Sequence, residues 1–332
     1  MICAEGYLFE LERRGYLQAG AYVPEVVLDH PEQVSGLHQE FVHAGSDIVE
    51  AFTYYGHREK LRLIGKEALL EDLNRTALLL ARDVASDTDT LFAGNICNAN
   101  AWDEGDEDSH HRVRAMFEEQ VEWAADAGVD LIIGETFSYG EEALVSLDAI
   151  TSAQLPSVIT LAIHRNGLTR EGWSALEACK RLSDSGADVV GLNCIRGPDT
   201  MLPLLDGIAG QVSAYVAALP VPYRTSAAEP TFQSLSDPVY DHLPQQTPFP
   251  TALDPFTCNR YEMAEFTIRA RELGVSYFGI CCGAAPHHIR SMAEALGHTP
   301  PASRYSPDMS KHAFLGTDPS LPEHNVAFRD SL

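Results

Sequence analysis

Two adjacent cysteines and a glycine, Cys281, Cys282 and Gly283, close a short apolar run at 277–280. Such a run reads as a buried strand. Neighbouring side chains on a strand point to opposite faces, so both sulfurs reach one centre only if the chain turns as the strand ends. Gly283 supplies the backbone freedom for that turn. Soft sulfur donors at a strand mouth suit metal binding, most often zinc. The pair alone also reads as two inert buried thiols or as a disulfide between neighbours, because two ligands do not make a site. A third sulfur, Cys194, ends another apolar run that starts at Val189. Three thiolates on a tetrahedral ion leave one position open, which a reactive centre needs and a closed structural site does not. On Zn²⁺ they carry a single net negative charge, and a fourth thiolate brought by a substrate makes the complex dianionic. Its sulfur then stays deprotonated and electron-rich, which favours alkyl transfer to sulfur over activation of water. The other cysteines, Cys3, Cys97, Cys179 and Cys258, read as packing residues.

Those sulfurs need elements that converge. Strand-like runs occur at 2–4, 47–53, 91–97, 130–136, 157–163, 187–194, 220–224 and 276–282. Amphipathic, helix-like stretches lie between and after them, at 31–44, 69–85, 113–127, 141–153, 171–185, 201–218, 260–273 and 286–296. Eight strands alternating with eight helices is the count of a (β/α)8 barrel, whereas a doubly wound open sheet repeats fewer units. Short phrases around Gly45, Gly128, Gly186 and Gly274 recur before strands two, four, six and eight, each with glycine closing a helix. In a barrel the C-terminal strand ends share one face, where active sites lie. Phe52 to Tyr55, Asn95 to Asn98, Gly134 to Phe137, Cys194 and the Cys281–Cys282 pair all stand there. The barrel is expected over 1–298 and a Pro/Ser-rich tail or arm over 299–332. The proline-rich stretch 226–257 follows strand seven and reads as a lid or an assembly surface.

A chain of 332 residues that is 45% hydrophobic can bury a large core. Its formal charge of −25 and isoelectric point near 4.7 argue against nucleic acid and anionic membranes as partners. No apolar run approaches the ~20 residues of a membrane span. The first residues lack the pattern of a secretory signal, and seven scattered cysteines suit a reducing compartment, so a cytoplasmic location is expected.

From 6–16 through 44–55 to Gly191–Cys194 and Cys281–Gly283, the chain resembles the zinc-dependent homocysteine S-methyltransferases, most fully the betaine-using branch. The resemblance implies a (β/α)8 barrel with zinc on Cys194, Cys281 and Cys282, and the sulfur of homocysteine as incoming ligand. Carried over by position, Glu135 holds the amino group of homocysteine, and Tyr55 lies near the metal and the methyl donor. Tyr22 faces the donor's cationic head, which offers no hydrogen bonds and suits an aromatic face. Thr136 and Phe52 complete the expected substrate-binding set.

The implied reaction moves a methyl group from a small onium compound, with glycine betaine as the expected donor, to homocysteine, giving methionine and dimethylglycine. Dimethylsulfoniopropionate, S-methylmethionine or another betaine is the alternative donor. A zinc-binding barrel without methyltransferase activity is the alternative of another class. The small-molecule substrates are the expected partners, with a homo-oligomer possible. The family's Asp-Gly-Gly after strand one reads Ala4-Glu5-Gly6 here. Ala4 cannot take the aspartate's role, and Glu5, one position out of phase, is expected to point elsewhere. His57, His111, His287 and His288 are not required as catalysts, and the last two read as surface or outer-layer residues near the zinc.

Overall fold

The apolar runs form eight parallel strands: β1 Ile2–Ala4, β2 Ile48–Glu50, β3 Leu91–Cys97, β4 Leu131–Phe137, β5 Ser157–Leu161, β6 Val189–Asn193, β7 Tyr215–Leu219 and β8 Tyr277–Ile280. They pair in chain order, and β8 returns to β1 to close a barrel in this computed structural model, which describes residues 1–240, 242–243 and 246–332. One long helix follows each strand: Pro31–Ala44, Leu70–Thr88, Glu107–Ala127, Gly140–Ser152, Ala175–Asp184, Pro198–Ile208, Arg260–Leu273 and Pro286–Ala295. The expected (β/α)8 architecture is therefore present. The recurrent glycines close helices as expected, with Gly45, Gly128, Gly186 and Gly274 at φ between 80° and 114°.

Strand seven is a correction. The sequence pattern predicts a helix through 201–218 and a strand at 220–224. The helix instead ends at Ile208, and Tyr215–Leu219 form the strand ahead of Pro220 and Pro222. The alanines of that strand mimic a helix, while prolines, which lack an N–H, cannot extend a central strand.

The repeated phrases do more than end helices. Asp47 accepts a hydrogen bond from the Ile2 N–H at 2.8 Å, Asp130 from Phe92 at 2.8 Å, and Asp188 from Ser157 at 2.9 Å. Each even strand thus pins the start of the odd strand before it. Strand phase follows. Cys3, Ile48, Ile133 and Tyr277 pack together inside the barrel, and Ala4 packs in the shell between barrel and helices. Because side chains alternate, the next inward positions are Glu5, Glu50 and Glu135, and on the last strand the same phase runs through Gly279 to Cys281. The barrel's apolar filling thus gives way to polar groups at its C-terminal end.

The stretch 226–257 folds back over that end, where Phe232 N–H donates to the Ile195 carbonyl at 2.8 Å; Pro244 lies outside the described residues. After the last helix, the short turn Pro301–Tyr305 packs on the first and last long helices, and Arg290 donates to Ser306 Oγ at 3.0 Å. Among the described residues no helix is long and apolar enough to cross a membrane. If the aspartate pins set the register, Asp47→Ala lowers stability by about 1 kcal/mol in urea unfolding. An unchanged midpoint would show the pin to be dispensable.

Candidate active site

The β6 and β8 ends deliver the sulfurs. Cys194 N–H donates to the Leu219 carbonyl at 2.9 Å, and Cys281 N–H to the Pro220 carbonyl at 3.1 Å, so both cysteines leave the sheet beside the end of β7. Beyond that point the backbone turns sharply: Cys194 and Ile195 adopt φ of 56° and 58°, and Gly283 adopts 96°. Left-handed non-glycine residues each cost on the order of 1–3 kcal/mol, which marks the turn as one held by its surroundings. The result brings Cys194, Cys281 and Cys282 together, with their sulfurs all within 4.8 Å of one another. The Cys281 and Cys282 sulfurs lie 4.0 Å apart and are unbonded. Sulfurs on a tetrahedral zinc at ~2.3 Å stand roughly 3.8 Å apart, whereas a disulfide needs about 2.05 Å. The donor set and its spacing thus fit a soft metal ion. Hydrogen bonds from Cys281 and Cys282 draw the Cys194 thiol well below the usual thiol range and leave the other two thiols raised.

Below the sulfurs lies a buried polar floor. Glu135 Oε1 accepts from Asn95 Nδ2 at 2.7 Å, and its Oε2 from Thr136 Oγ1 at 3.0 Å and Asn193 Nδ2 at 2.9 Å. Asn95 Nδ2 also donates to Glu50 Oε1 at 2.7 Å. Burial pushes the Glu135 carboxyl up to about 8 despite these bonds, and burial together with the charge of Glu135 raises Glu5 and Glu50. Phe52 walls the same space. Glu5 departs from expectation: it points into the floor, where one of its oxygens lies within 4.8 Å of both Glu135 and Cys281. The reason is strand phase. Glu5 shares the inward phase of Cys3, and Ala4 is the residue that faces away.

Above the sulfurs a cavity of about 230 Å³ opens, bounded by Cys194, Cys282, Tyr22, Tyr55, Phe232 and Phe249 among others. Among the described residues none that lines it is acidic, and its polar groups are amides, hydroxyls, His164 and the thiols of Cys194 and Cys282. Tyr22 stacks on Phe9 with ring centroids 5.9 Å apart. Tyr55 is fixed differently: its N–H donates to Cys97 Sγ at 3.2 Å, and Lys60 Nζ sits 3.9 Å from its ring centroid. The Tyr54 ring lies 4.3 Å from it. Burial raises the Tyr55 hydroxyl to about 12, so it stays a neutral donor. Thr136 lines this cavity as well as bonding Glu135.

Sequence reasoning missed the inward aim of Glu5, the partnership of Glu50, Asn95 and Asn193, and the two phenylalanines that the 226–257 stretch supplies. The period of two counted from Cys3 would have found the first. The others depend on contacts between distant segments. His288 is not at the surface: its Nδ1 accepts from the Ala285 N–H at 3.2 Å and its Nε2 contacts the Cys258 carbonyl at 2.9 Å, so it ties down a helix start.

A sequence profile of the homocysteine S-methyltransferase family matches residues 3–296. The betaine–homocysteine S-methyltransferase 1 of Rattus norvegicus is 34% identical over 311 residues, which cover 90% of this chain and 73% of the relative. The S-methylmethionine–homocysteine S-methyltransferase of Pongo abelii is 33% identical over 307 residues, covering 90% of this chain and 79% of the relative. Among solved structures, the metallated form of the homocysteine methyltransferase MmuM from Escherichia coli superposes with a TM-score of 0.68 at 17% identity, covering 89% of this chain and 95% of that one.

The turn that gathers the sulfurs has no room for a side chain at 283, where an added Cβ would lie 2.3 Å from the Tyr223 hydroxyl oxygen. Gly283→Ala is therefore expected to destabilise the fold by about 1–3 kcal/mol and to displace Cys282. Wild-type stability together with unaltered reactivity of Cys282 toward a thiol reagent would contradict this.

Proposed function

The chain belongs to the homocysteine S-methyltransferase family, and we propose that it transfers a methyl group from a small onium donor to homocysteine with the help of a zinc ion on Cys194, Cys281 and Cys282. One observation carries the reading. The sulfur cluster lies between two dissimilar spaces, an acidic floor and an aromatic cavity, and Cys282 and Tyr54 border both. The acid side suits the ammonium of an amino-acid acceptor; the aromatic side suits a cation that offers no hydrogen bonds. Zinc bound there would keep the acceptor's sulfur deprotonated at neutral pH and still nucleophilic.

The residues then do the rest. Glu135, held by Asn95, Asn193 and Thr136, anchors the acceptor from below. The Tyr22–Phe9 stack supplies a free aromatic surface for the onium, since the Tyr55 ring is already engaged by Lys60. Phe232 and Phe249 cover the cavity and exclude water. Sulfur attacks the methyl carbon in line, the new S–CH3 bond forms as the C–N bond breaks, and with glycine betaine the electron pair stays on the nitrogen, now a neutral amine, of departing dimethylglycine, whose carboxylate keeps its charge. No general acid is needed. Negative nucleophile and positive electrophile cancel in the transition state, and alignment in a dry site contributes the remainder.

The lining favours one donor class over another. A betaine or a sulfoniopropionate carries one onium and one carboxylate, which amides such as Asn98, Asn100 and Gln233 can bind. S-methylmethionine brings a second cation, its ammonium, and the described residues of the cavity lining offer no carboxylate for it. With zinc-loaded protein and homocysteine, methionine formation from glycine betaine or dimethylsulfoniopropionate should exceed that from S-methylmethionine by at least about tenfold. Methionine from S-methylmethionine alone would overturn the donor assignment, and none from any donor would overturn the function. Cys194→Ser should lose both bound zinc and turnover; turnover by a metal-free variant would refute the role given to the sulfurs.

A further inference from the structure

Glu5 is a buried carboxylate without a partner of its own. Its Oε1 accepts no hydrogen bond among the described residues, its Oε2 has only a 3.5 Å contact from Asn193 Nδ2, and the residue is 7% exposed. Glu135 beside it accepts three side-chain bonds of 3.0 Å or less. An acceptor buried without a donor is costly, so a donor supplied from outside would find a prepared site. The space on which Glu5, Glu50 and Glu135 all border has a volume of about 10 Å³. That is room for a single water-sized group. A hydrated divalent ion does not fit; an ammonium does, and it brings three donors, so a bare ion held by the carboxylates themselves is the competing occupant that the test must separate.

We infer that Glu5, together with Glu135, clamps the α-ammonium of the acceptor amino acid, and that Glu50 completes the anionic floor around it. The inference rests on homocysteine as acceptor and says how its amino group is recognised. One oxygen each of Glu5 and Glu135 and the Cys281 sulfur lie within 4.8 Å of one another, so an acceptor whose sulfur joins the cluster can place its nitrogen between the carboxylates. The clamp comes from position 5 because Ala4 packs toward the helices.

The test is thiol binding to the cobalt-loaded protein without methyl donor, read from the sulfur-to-cobalt absorption band. Homocysteine is compared with 4-mercaptobutyrate, which keeps the chain and the carboxylate and lacks the amine. The wild type should bind homocysteine about 10- to 100-fold more tightly. Glu5→Gln should erase most of that ratio while binding cobalt at unchanged stoichiometry and 4-mercaptobutyrate at nearly unchanged affinity. Equal affinities in the wild type overturn the clamp without recourse to any variant. A ratio preserved in Glu5→Gln, or a second cobalt equivalent that this variant releases, overturns it as well. If neither thiol shifts the band, homocysteine as acceptor fails first and the clamp fails with it.

Discussion

Burial of acidic groups at the mouth of the barrel is the constraint on which the rest of the structure depends. Three thiols and three carboxyls crowd a buried region, and isolated anions in such a place cost several kcal/mol each. The fold answers with dipoles first: Asn95 and Asn193 divide their amide hydrogens among Glu50, Glu135 and Glu5. The deficit that is left selects what can enter. A soft dication suits the sulfurs and an ammonium suits the floor, so in the proposed reading one site would meet a metal and an amino acid by the same unmet need.

Much of this was legible in the sequence, because strand phase is a local property. The alternation of apolar and amphipathic runs predicts the barrel, and the Cys-Cys-Gly ending with a distant Cys194 predicts where sulfurs meet. Where the reading failed, local rules competed. Tyr215–Leu219 is alanine-containing and apolar, so it continued a helical pattern that the fold interrupts. Analogy with an aspartate position puts Glu5 out of phase, although its own alternation with Cys3 aims it inward. The aromatic roof was not legible, since Phe232 and Phe249 meet Tyr22 and Tyr55 only through folding of a stretch with no period.

Strain and packing explain how so reactive a group of side chains is held. Left-handed backbone occurs at Tyr22, Tyr55, Thr136, Cys194 and Ile195, all of which border the upper cavity. Each is an unfavourable conformation that a rigid barrel can impose. The aspartate pins at the opposite end fix strand register, and register fixes which residues face inward. Stability at one end of the barrel thus supports geometry at the other.

The most direct measurement of the central claim is X-ray absorption at the zinc edge of the purified protein, before and after addition of homocysteine without a methyl donor. Three sulfur neighbours near 2.3 Å with one lighter atom, changing to four sulfurs on addition, is the predicted result. A carboxylate-dominated shell, or a sulfur count that homocysteine does not change, would contradict the account.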